Sequence, residues 1–247
     1  MTLEAHQTKQ TRAKVDRLCN HTYLPDLLNV DSAVLDLGAN RGEFSHGMIS
    51  RFACKVFAVE PHSGLRANIE HAPRLTLVPV GVSGRSQRVR LLVFGNRCAS
   101  LLHQKEGDVV DSEEEVEVLD FRSLLERIGA ERIDLMKVDI EGAEVEMFDS
   151  ASDSDLQRCI QITVEFHDFV YPEQGARVEL IKRRMRALGF WVINFSLDNT
   201  DVLFVNAAAS GVARLQYIKL KYITKYLQGI PRRFRAWQRV ISLGRAN

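Results

Sequence analysis

The 247-residue chain holds four cysteines, Cys19, Cys54, Cys98 and Cys159, and no two of them stand at C-x-x-C or any other metal-ligand spacing. That excludes a zinc or redox motif built on thiols, and the cysteines are expected to be buried and reduced, as in a cytoplasmic protein. No apolar run approaches the roughly 18 residues of a transmembrane helix. The first twenty residues are polar and lack an apolar h-region, so no secretory leader is expected. A net charge of +1 gives the whole chain no strong field. What is present is ordinary globular composition, 45% hydrophobic and 26% charged, in a length that suits one large domain or one domain with an appendage.

The stretch Ala33-Val34-Leu35-Asp36-Leu37-Gly38-Ala39-Asn40-Arg41-Gly42 is an apolar run closing on an acid, a glycine-bearing turn and a helix start. A second run, Lys55-Val56-Phe57-Ala58-Val59, closes on Glu60-Pro61. Together they read as the β-turn-α-β half that binds a nucleoside, with the acid after the second strand placed to hold ribose hydroxyls. The three glycines of a G-x-G-x-x-G pyrophosphate turn are missing: Asn40 fills the middle position, and Asp36 adds negative charge. A cationic, phosphate-free nucleoside such as S-adenosylmethionine fits that turn better than a dinucleotide.

Alternation of strand and helix patterns predicts a mostly parallel sheet covered on both faces. Strands are expected over Val34–Leu37, Val56–Val59, Leu75–Val80, Ile133–Val138, Ile160–Phe166, Phe190–Phe195 and Val202–Val205, the last reversed after the turn pair Asp198-Asn199. Helices are expected over Glu43 to Phe52, Ser63 to His71, Phe121–Ile128, Gly142–Phe148 and Ala176–Leu188, the last capped by Gly189. A helix over Thr11–Asn20 is expected to lie on the sheet edge. The alternation breaks between Val82 and Leu119, where Val89–Phe94 and Val116–Leu119 read as a strand pair and acidic Gly107 to Glu117 as a solvated loop. The chain thus divides into an N-terminal helical segment (1–30), the α/β domain (31–208) and a tail (209–247).

Ligands of open α/β sheets sit beyond the carboxyl ends of the strands. Those ends carry Asp36, Glu60, Gly81-Val82-Ser83, Asp139 with Glu141, and Glu165 with His167. Lys137 shares the side of its strand with Asp139 and is placed to pair with an acid and keep the cluster ionised. Trp191 and Phe195 read as core; Phe169-Val170-Tyr171-Pro172 offers rings for stacking on an acceptor or packs on itself as a lid.

With these segments in view, the chain resembles the FkbM-type S-adenosylmethionine-dependent methyltransferases. The resemblance runs through residues 34–45 and 56–61, Val164-Glu165-Phe166-His167, and above all Ile133-Asp134-Leu135-Met136-Lys137-Val138-Asp139-Ile140-Glu141-Gly142-Ala143-Glu144, whose K-x-D-x-E-G-x-E pattern is the most specific. It implies a Rossmann-like, seven-stranded, mostly parallel sheet of the class I methyltransferase type and O-methylation of a hydroxyl, often on a sugar or natural product. It places Asp36, Gly38, Ala39, Asn40 and Gly42 around the methionine part of the cofactor, Glu60, followed by Pro61, on the ribose, and Ser83 at the adenine edge. Asp139, Glu141, Glu165 and His167 then face the methyl group and the acceptor.

Removing a proton from a sugar hydroxyl needs a base or a divalent cation. His167 suits the first; Asp139 and Glu165, with Glu141 as a further candidate, suit the second, their hard oxygens favouring Mg²⁺. A carbohydrate or glycolipid acceptor in surface-polysaccharide assembly is the expected substrate class. An RNA methyltransferase and a cofactor-binding module without turnover are the alternatives. The first lacks an N-P-P-Y-type loop, reading Asp139-Ile140-Glu141-Gly142 instead, and its paired carboxylates repel phosphate, so nucleic acid is not the expected partner.

From Val212 onward there is no Asp or Glu, while Arg214, Lys219, Lys221, Lys225, Arg232, Arg233, Arg235, Arg239 and Arg245 alternate with Leu215, Ile218, Tyr222, Tyr226, Ile230, Phe234, Trp237 and Ile241. Two amphipathic basic helices broken at Pro231 are expected. They suit peripheral attachment to an anionic membrane, on its inner face. Packing of the apolar face on the domain, or on a second subunit in a homodimer, is the alternative, and nucleic acid binding is a third, since basic residues with aromatics also suit phosphates.

Overall fold

The computed structural model describes residues 14–94, 98–100 and 112–224. The first described strands, β1 (Asp16–Leu18) and β2 (His21–Tyr23), pair antiparallel around Cys19-Asn20. Both turn residues have positive φ, 45° and 69°, the backbone of a two-residue type I′ hairpin. This corrects the helix expected over Thr11–Asn20: in its described part the left-handed pair at the turn breaks a helix, and Thr22 and Tyr23 favour extended chain. The hairpin is clamped to the sheet. Asp201 accepts from the Thr22 backbone N–H at 3.0 Å and its hydroxyl at 2.7 Å, and Gln161 Oε1 accepts from Leu24 N–H at 2.8 Å. Cys54 and Cys159 are buried, as expected; Cys19, in the turn, is exposed. The Cys98 side chain lies outside the described residues.

The next half is β3 (Ala33–Leu37), α1 (Glu43–Phe52), β4 (Lys55–Val59), α2 (Ser63–Arg66) and β5 (Leu75–Val78). The alternation then breaks, with β6 (Gly81–Val82), β7 (Gln87–Phe94), β8 (Cys98–Ser100) and β9 (Ser112–Leu119), before α3 (Phe121–Ile128) and β10 (Leu135–Val138). The chain continues through α4 (Glu144–Ser150), α5 (Asp153–Gln157), β11 (Gln161–Val164), α6 (Gly175–Ala187), β12 (Phe190–Asn194), β13 (Val202–Asn206), α7 (Ala207–Ser210) and α8 (Arg214–Lys219). Seven described strands form one sheet in the order β12-β13-β11-β10-β3-β4-β5. Neighbours are parallel except where β13 pairs with β11 and β12. The α/β architecture and the single reversed strand are as the sequence predicts. Strand order turns around between β3 and β10, and that is where such sheets open a crevice.

β6, β9, β7 and β8 form a second sheet. Val116 sits opposite Val89, the pairing the sequence suggests. The acidic segment is corrected in its described part. Residues 112–117 are strand, not solvated loop, and Glu113, Glu115 and Glu117 reach Arg90, Arg88 and Arg127 at 3.4, 3.6 and 2.8 Å. Charge pairs with the neighbouring strand and with α3 supply what a bare acidic strand lacks. Residues 107–111 lie outside the described residues.

In the tail, α8 continues into a π-helical turn, Leu220–Thr224. One face packs on the domain: Tyr217 stacks on Trp191 at 4.5 Å, and Leu220 is buried with Leu24, Ile193 and Leu203. Leu215, Ile218 and Tyr222 are exposed. The predicted second helix and the break at Pro231 lie outside the described residues. Among the described residues no helix is long and apolar enough to cross a membrane.

Candidate active site

The turn after β3 passes close under the loop after β10. A Cβ on Gly38 (φ +77°) would lie 1.8 Å from the Asp139 carbonyl oxygen, so only glycine fits there. The same turn is held by Lys137. Its ammonium donates to the Gly38 carbonyl at 2.6 Å and lies 3.2 Å from Asp36 Oδ1 and 3.6 Å from Asp139 Oδ2. Burial opposes its charge, but Asp36 and then Asp139 outweigh burial and raise its pKa. Burial by itself would raise the Asp139 carboxyl; Lys137 above all reverses this and holds it well below the usual carboxylate range. The pairing expected of Lys137 is therefore present. Asp139 does not cap the following helix, whose N-cap is Ala143, and its side chain stays 28% exposed toward the crevice.

A cavity open to solvent lies over these strand ends. Gly38, Asn40, Glu60, Pro61, Asp139 and Glu141 line it, six of the sequence-predicted residues in one place. Glu60 Oε2 accepts from Asn40 N–H at 2.8 Å and Oε1 from His62 N–H at 2.9 Å. Both oxygens are thus fixed and keep lone pairs for a diol. Burial raises the Glu60 pKa, against those two N–H groups.

Four of the residues predicted for the cofactor stand elsewhere. Asp36 is fully buried, its Oδ2 accepting from Ser45 Oγ at 2.7 Å; it supports Lys137 and does not line the cavity. Gly42 (φ +81°) is the N-cap of α1. Ser83 donates its hydroxyl to Glu146 at 2.7 Å and its N–H to the Leu119 carbonyl at 3.1 Å, leaving the far wall of the cavity to Val80, Gly81, Val82 and Leu91. Ala39 is buried, its N–H donated to the Val59 carbonyl at 2.9 Å.

Beyond Asp139 and Glu141 lies a second cluster. His167 Nδ1 is 2.9 Å from Oε1 of fully buried Glu144, and the same oxygen accepts from Ile140 and Gly142 N–H at 3.0 and 3.1 Å. Glu144 thereby orients the imidazole and shapes the loop over 140–142, where Glu141 itself has a left-handed φ of 53°. His167 Nε2 lies 3.5 Å from Glu141 and 3.9 Å from Asp139. Burial works against a charged imidazole, but the Glu144 hydrogen bond and the Glu144, Glu141 and Asp139 charges push its pKa up to about 9. Glu165 is raised to about 7 by burial and then by Asp139; burial also raises Glu141, against the pull of His167. Phe169, 51% exposed, has its ring 5.6 Å from that of His167.

Two members of this cluster escape a reading of the sequence. Glu144 lies inside the K-x-D-x-E-G-x-E run, yet nothing in that pattern marks it as the partner of His167. His21 arrives from β2 with Nε2 3.7 Å from Asp139 Oδ2, and no local pattern announces it.

The profile of the methyltransferase FkbM domain matches residues 36–192. The chain belongs to the FkbM methyltransferase family. The FkbM domain takes its methyl group from S-adenosylmethionine, and the cavity just described lies within the matched span. A curated relative, the AMB antimetabolite synthetase AmbE of Pseudomonas aeruginosa, is 26% identical over 231 residues, covering 76% of this chain. The chain spans 11% of the length of that relative. Among solved structures, fibrillarin of Aeropyrum pernix with natively bound S-adenosyl-L-methionine is 10% identical with a TM-score of 0.41, covering 72% of this chain and 66% of its own. Precorrin-6y C5,15-methyltransferase of Geobacter metallireducens is 15% identical with a TM-score of 0.39, covering 72% of this chain and 81% of its own. Neither likeness is close enough to bear on the chemistry of the FkbM domain.

The His167 arrangement makes a direct prediction. An NMR titration in the presence of EDTA should give its imidazole a midpoint of about 9, and Glu144→Gln should move it down toward the ordinary 6.5. Because the folded value lies above the unfolded one, the stability this group contributes is fully present below about 6.5 and is lost as pH rises through about 9. A midpoint at or below 6.5 in the native chain contradicts the arrangement.

Proposed function

We propose that this chain transfers the methyl group of S-adenosylmethionine to a hydroxyl of a carbohydrate, in a surface polysaccharide or glycolipid. The observation that carries this reading is a histidine locked by a buried glutamate at the far end of the nucleoside cavity, with an exposed aromatic ring beside it. Methyl transfer is an in-line displacement at carbon, so the acceptor oxygen must approach from the side opposite the sulfonium. Asp139 and Glu141 lie at the junction. On one side is the cavity with Glu60; on the other are His167, Glu165 and Phe169. Asp139, held ionised, complements the positive sulfur.

The acceptor proton goes to His167 Nε2. A base with a pKa of about 9 is mostly protonated at neutrality, but in its neutral form it is a stronger acceptor than an ordinary imidazole, which suits a weakly acidic sugar hydroxyl. Phe169 offers an apolar face to a pyranose ring. Four carboxylates around the acceptor side, Asp139, Glu141, Glu144 and Glu165, disfavour a polyphosphate chain, which supports a sugar over RNA.

A lipid-linked acceptor would place the chain on the inner, cytoplasmic face of a membrane. Leu215, Ile218 and Tyr222, exposed on the face of the tail turned away from the domain, with Arg214, Lys219 and Lys221 among them, support that placement.

Two measurements check these proposals. With a panel of glycan and glycolipid acceptors, release of S-adenosylhomocysteine should have a kcat that climbs with pH toward a plateau above about 9, as neutral His167 accumulates. His167→Ala should lower kcat by about 10²–10⁴ and leave S-adenosylmethionine affinity unchanged; undiminished turnover removes His167 from the reaction, and turnover on RNA alone overturns the acceptor class. In sedimentation, the full chain should pellet with anionic vesicles but not with neutral ones, and replacing Leu215, Ile218 and Tyr222 by Ser should keep it in the supernatant. A full chain that stays in the supernatant with anionic vesicles contradicts membrane attachment.

A further inference from the structure

His21 has no part in the chemistry so far, yet it is fully buried and faces the reacting end of the pocket. Its ring packs edge-on against Phe44 with centroids 5.9 Å apart, and Nδ1 lies 3.4 Å from Thr163 Oγ1. In the tautomer that donates from Nδ1 to that hydroxyl, Nε2 keeps its lone pair. Nε2 is buried without a hydrogen-bond partner, 3.7 Å from Asp139 Oδ2. That gap is too long for a hydrogen bond. It is a few tenths of an ångström wider than the roughly 3.0–3.4 Å that bonds of about 2.1 Å set between neighbouring ligand atoms of one ion, a difference that small side-chain adjustments close.

A third ligand stands in reach. One atom each from His21, Asp139 and Glu165 lie within 4.8 Å of one another. The surroundings carry an excess of negative charge. Asp36, Asp139, Glu141, Glu144 and Glu165 crowd around two cations, Lys137 and His167. Lys137 is shared among Asp36, Asp139 Oδ2 and the Gly38 carbonyl, and His167 Nδ1 is held by Glu144, so two cations serve five carboxylates.

We propose that His21 Nε2, Asp139 and Glu165 form a binding site for a divalent transition-metal ion at the acceptor end of the methyl-transfer pocket. An imidazole in the donor set moves the preference away from Mg²⁺, which the carboxylates alone suit, toward Mn²⁺ or Co²⁺. The proposal rests on the methyl-transfer reading: an ion there lies where the acceptor hydroxyl arrives and acts as a Lewis acid on its oxygen.

The test uses the full chain stripped with EDTA. Mn²⁺ is titrated in, and the free aquo ion is followed by electron paramagnetic resonance; Co²⁺ is followed by its visible absorption. S-adenosylmethionine binding is measured separately by calorimetry. One Mn²⁺ per chain is expected. His21→Ala, and His21→Phe, which keeps a ring against Phe44, should each weaken Mn²⁺ at least tenfold and change the Co²⁺ spectrum; Glu165→Gln should also weaken Mn²⁺ at least tenfold. S-adenosylmethionine binding without any Mn²⁺ binding overturns the cation site and leaves the methyl-transfer reading standing. Loss of both removes the reading on which the proposal rests. Mn²⁺ affinity unchanged in the His21 variants overturns the site as drawn. Should both His21 variants fail to fold, Glu165→Gln decides, and an unchanged Mn²⁺ affinity there overturns it equally.

Discussion

The site depends on one buried ammonium. Lys137 sits in the middle of β10, in a run otherwise made of Leu135, Met136 and Val138, and is 4% exposed. A charge in that position is tolerable only if it is fully paired, and it is: to Asp36 on the neighbouring strand, to Asp139 two residues on, and to the carbonyl of Gly38. These contacts join the two central strands of the sheet at the point where strand order reverses. They hold the glycine turn at the distance from the β10 loop that only a residue without Cβ permits. They also keep Asp139 ionised at the mouth. Removing one partner would leave a buried, uncompensated charge, which typically costs about 3–5 kcal/mol.

From that centre the site divides in two. Toward β4 and β5 it is a nucleoside cavity with a preset carboxylate, Glu60, and an apolar far wall. Toward β11 it is a titrating cluster in which Glu144 fixes His167 and the 140–142 loop through a single oxygen. Donor and acceptor therefore meet at Asp139 and Glu141, where two left-handed residues, Glu141 and Gly142, turn the chain. A Cβ on Gly142 would come within 2.7 Å of the Tyr171 ring, so the loop and the segment after β11 are built against each other.

Much of this was legible in the sequence. Periodicity located α1 and α3 at their observed bounds, and strand-end acids located Asp139 and Glu60 in the cavity. The reversal of β13 followed from a turn pair. What failed has a common cause. Strand-end position says that a side chain is near the crevice, not whether a neighbour has already engaged it. Asp36 is held by Ser45 and Lys137, and Ser83 by Glu146, partners 9, 101 and 63 residues away. His21 was invisible for the converse reason. Its segment read as a helix, because hydrophobic spacing in a short polar stretch does not register two consecutive left-handed residues, and only the hairpin carries His21 to Thr163 and Asp139.

The most direct test of the account is calorimetry of S-adenosylmethionine with native chain and with Lys137→Met, each checked for folding by circular dichroism. The account predicts one cofactor per native chain and, in the folded variant, an affinity lower by about tenfold or more, a loss of about 1.4 kcal/mol, because the glycine turn and Asp139 lose the ammonium that positions them. A folded Lys137→Met chain that binds the cofactor as tightly as the native one would contradict it.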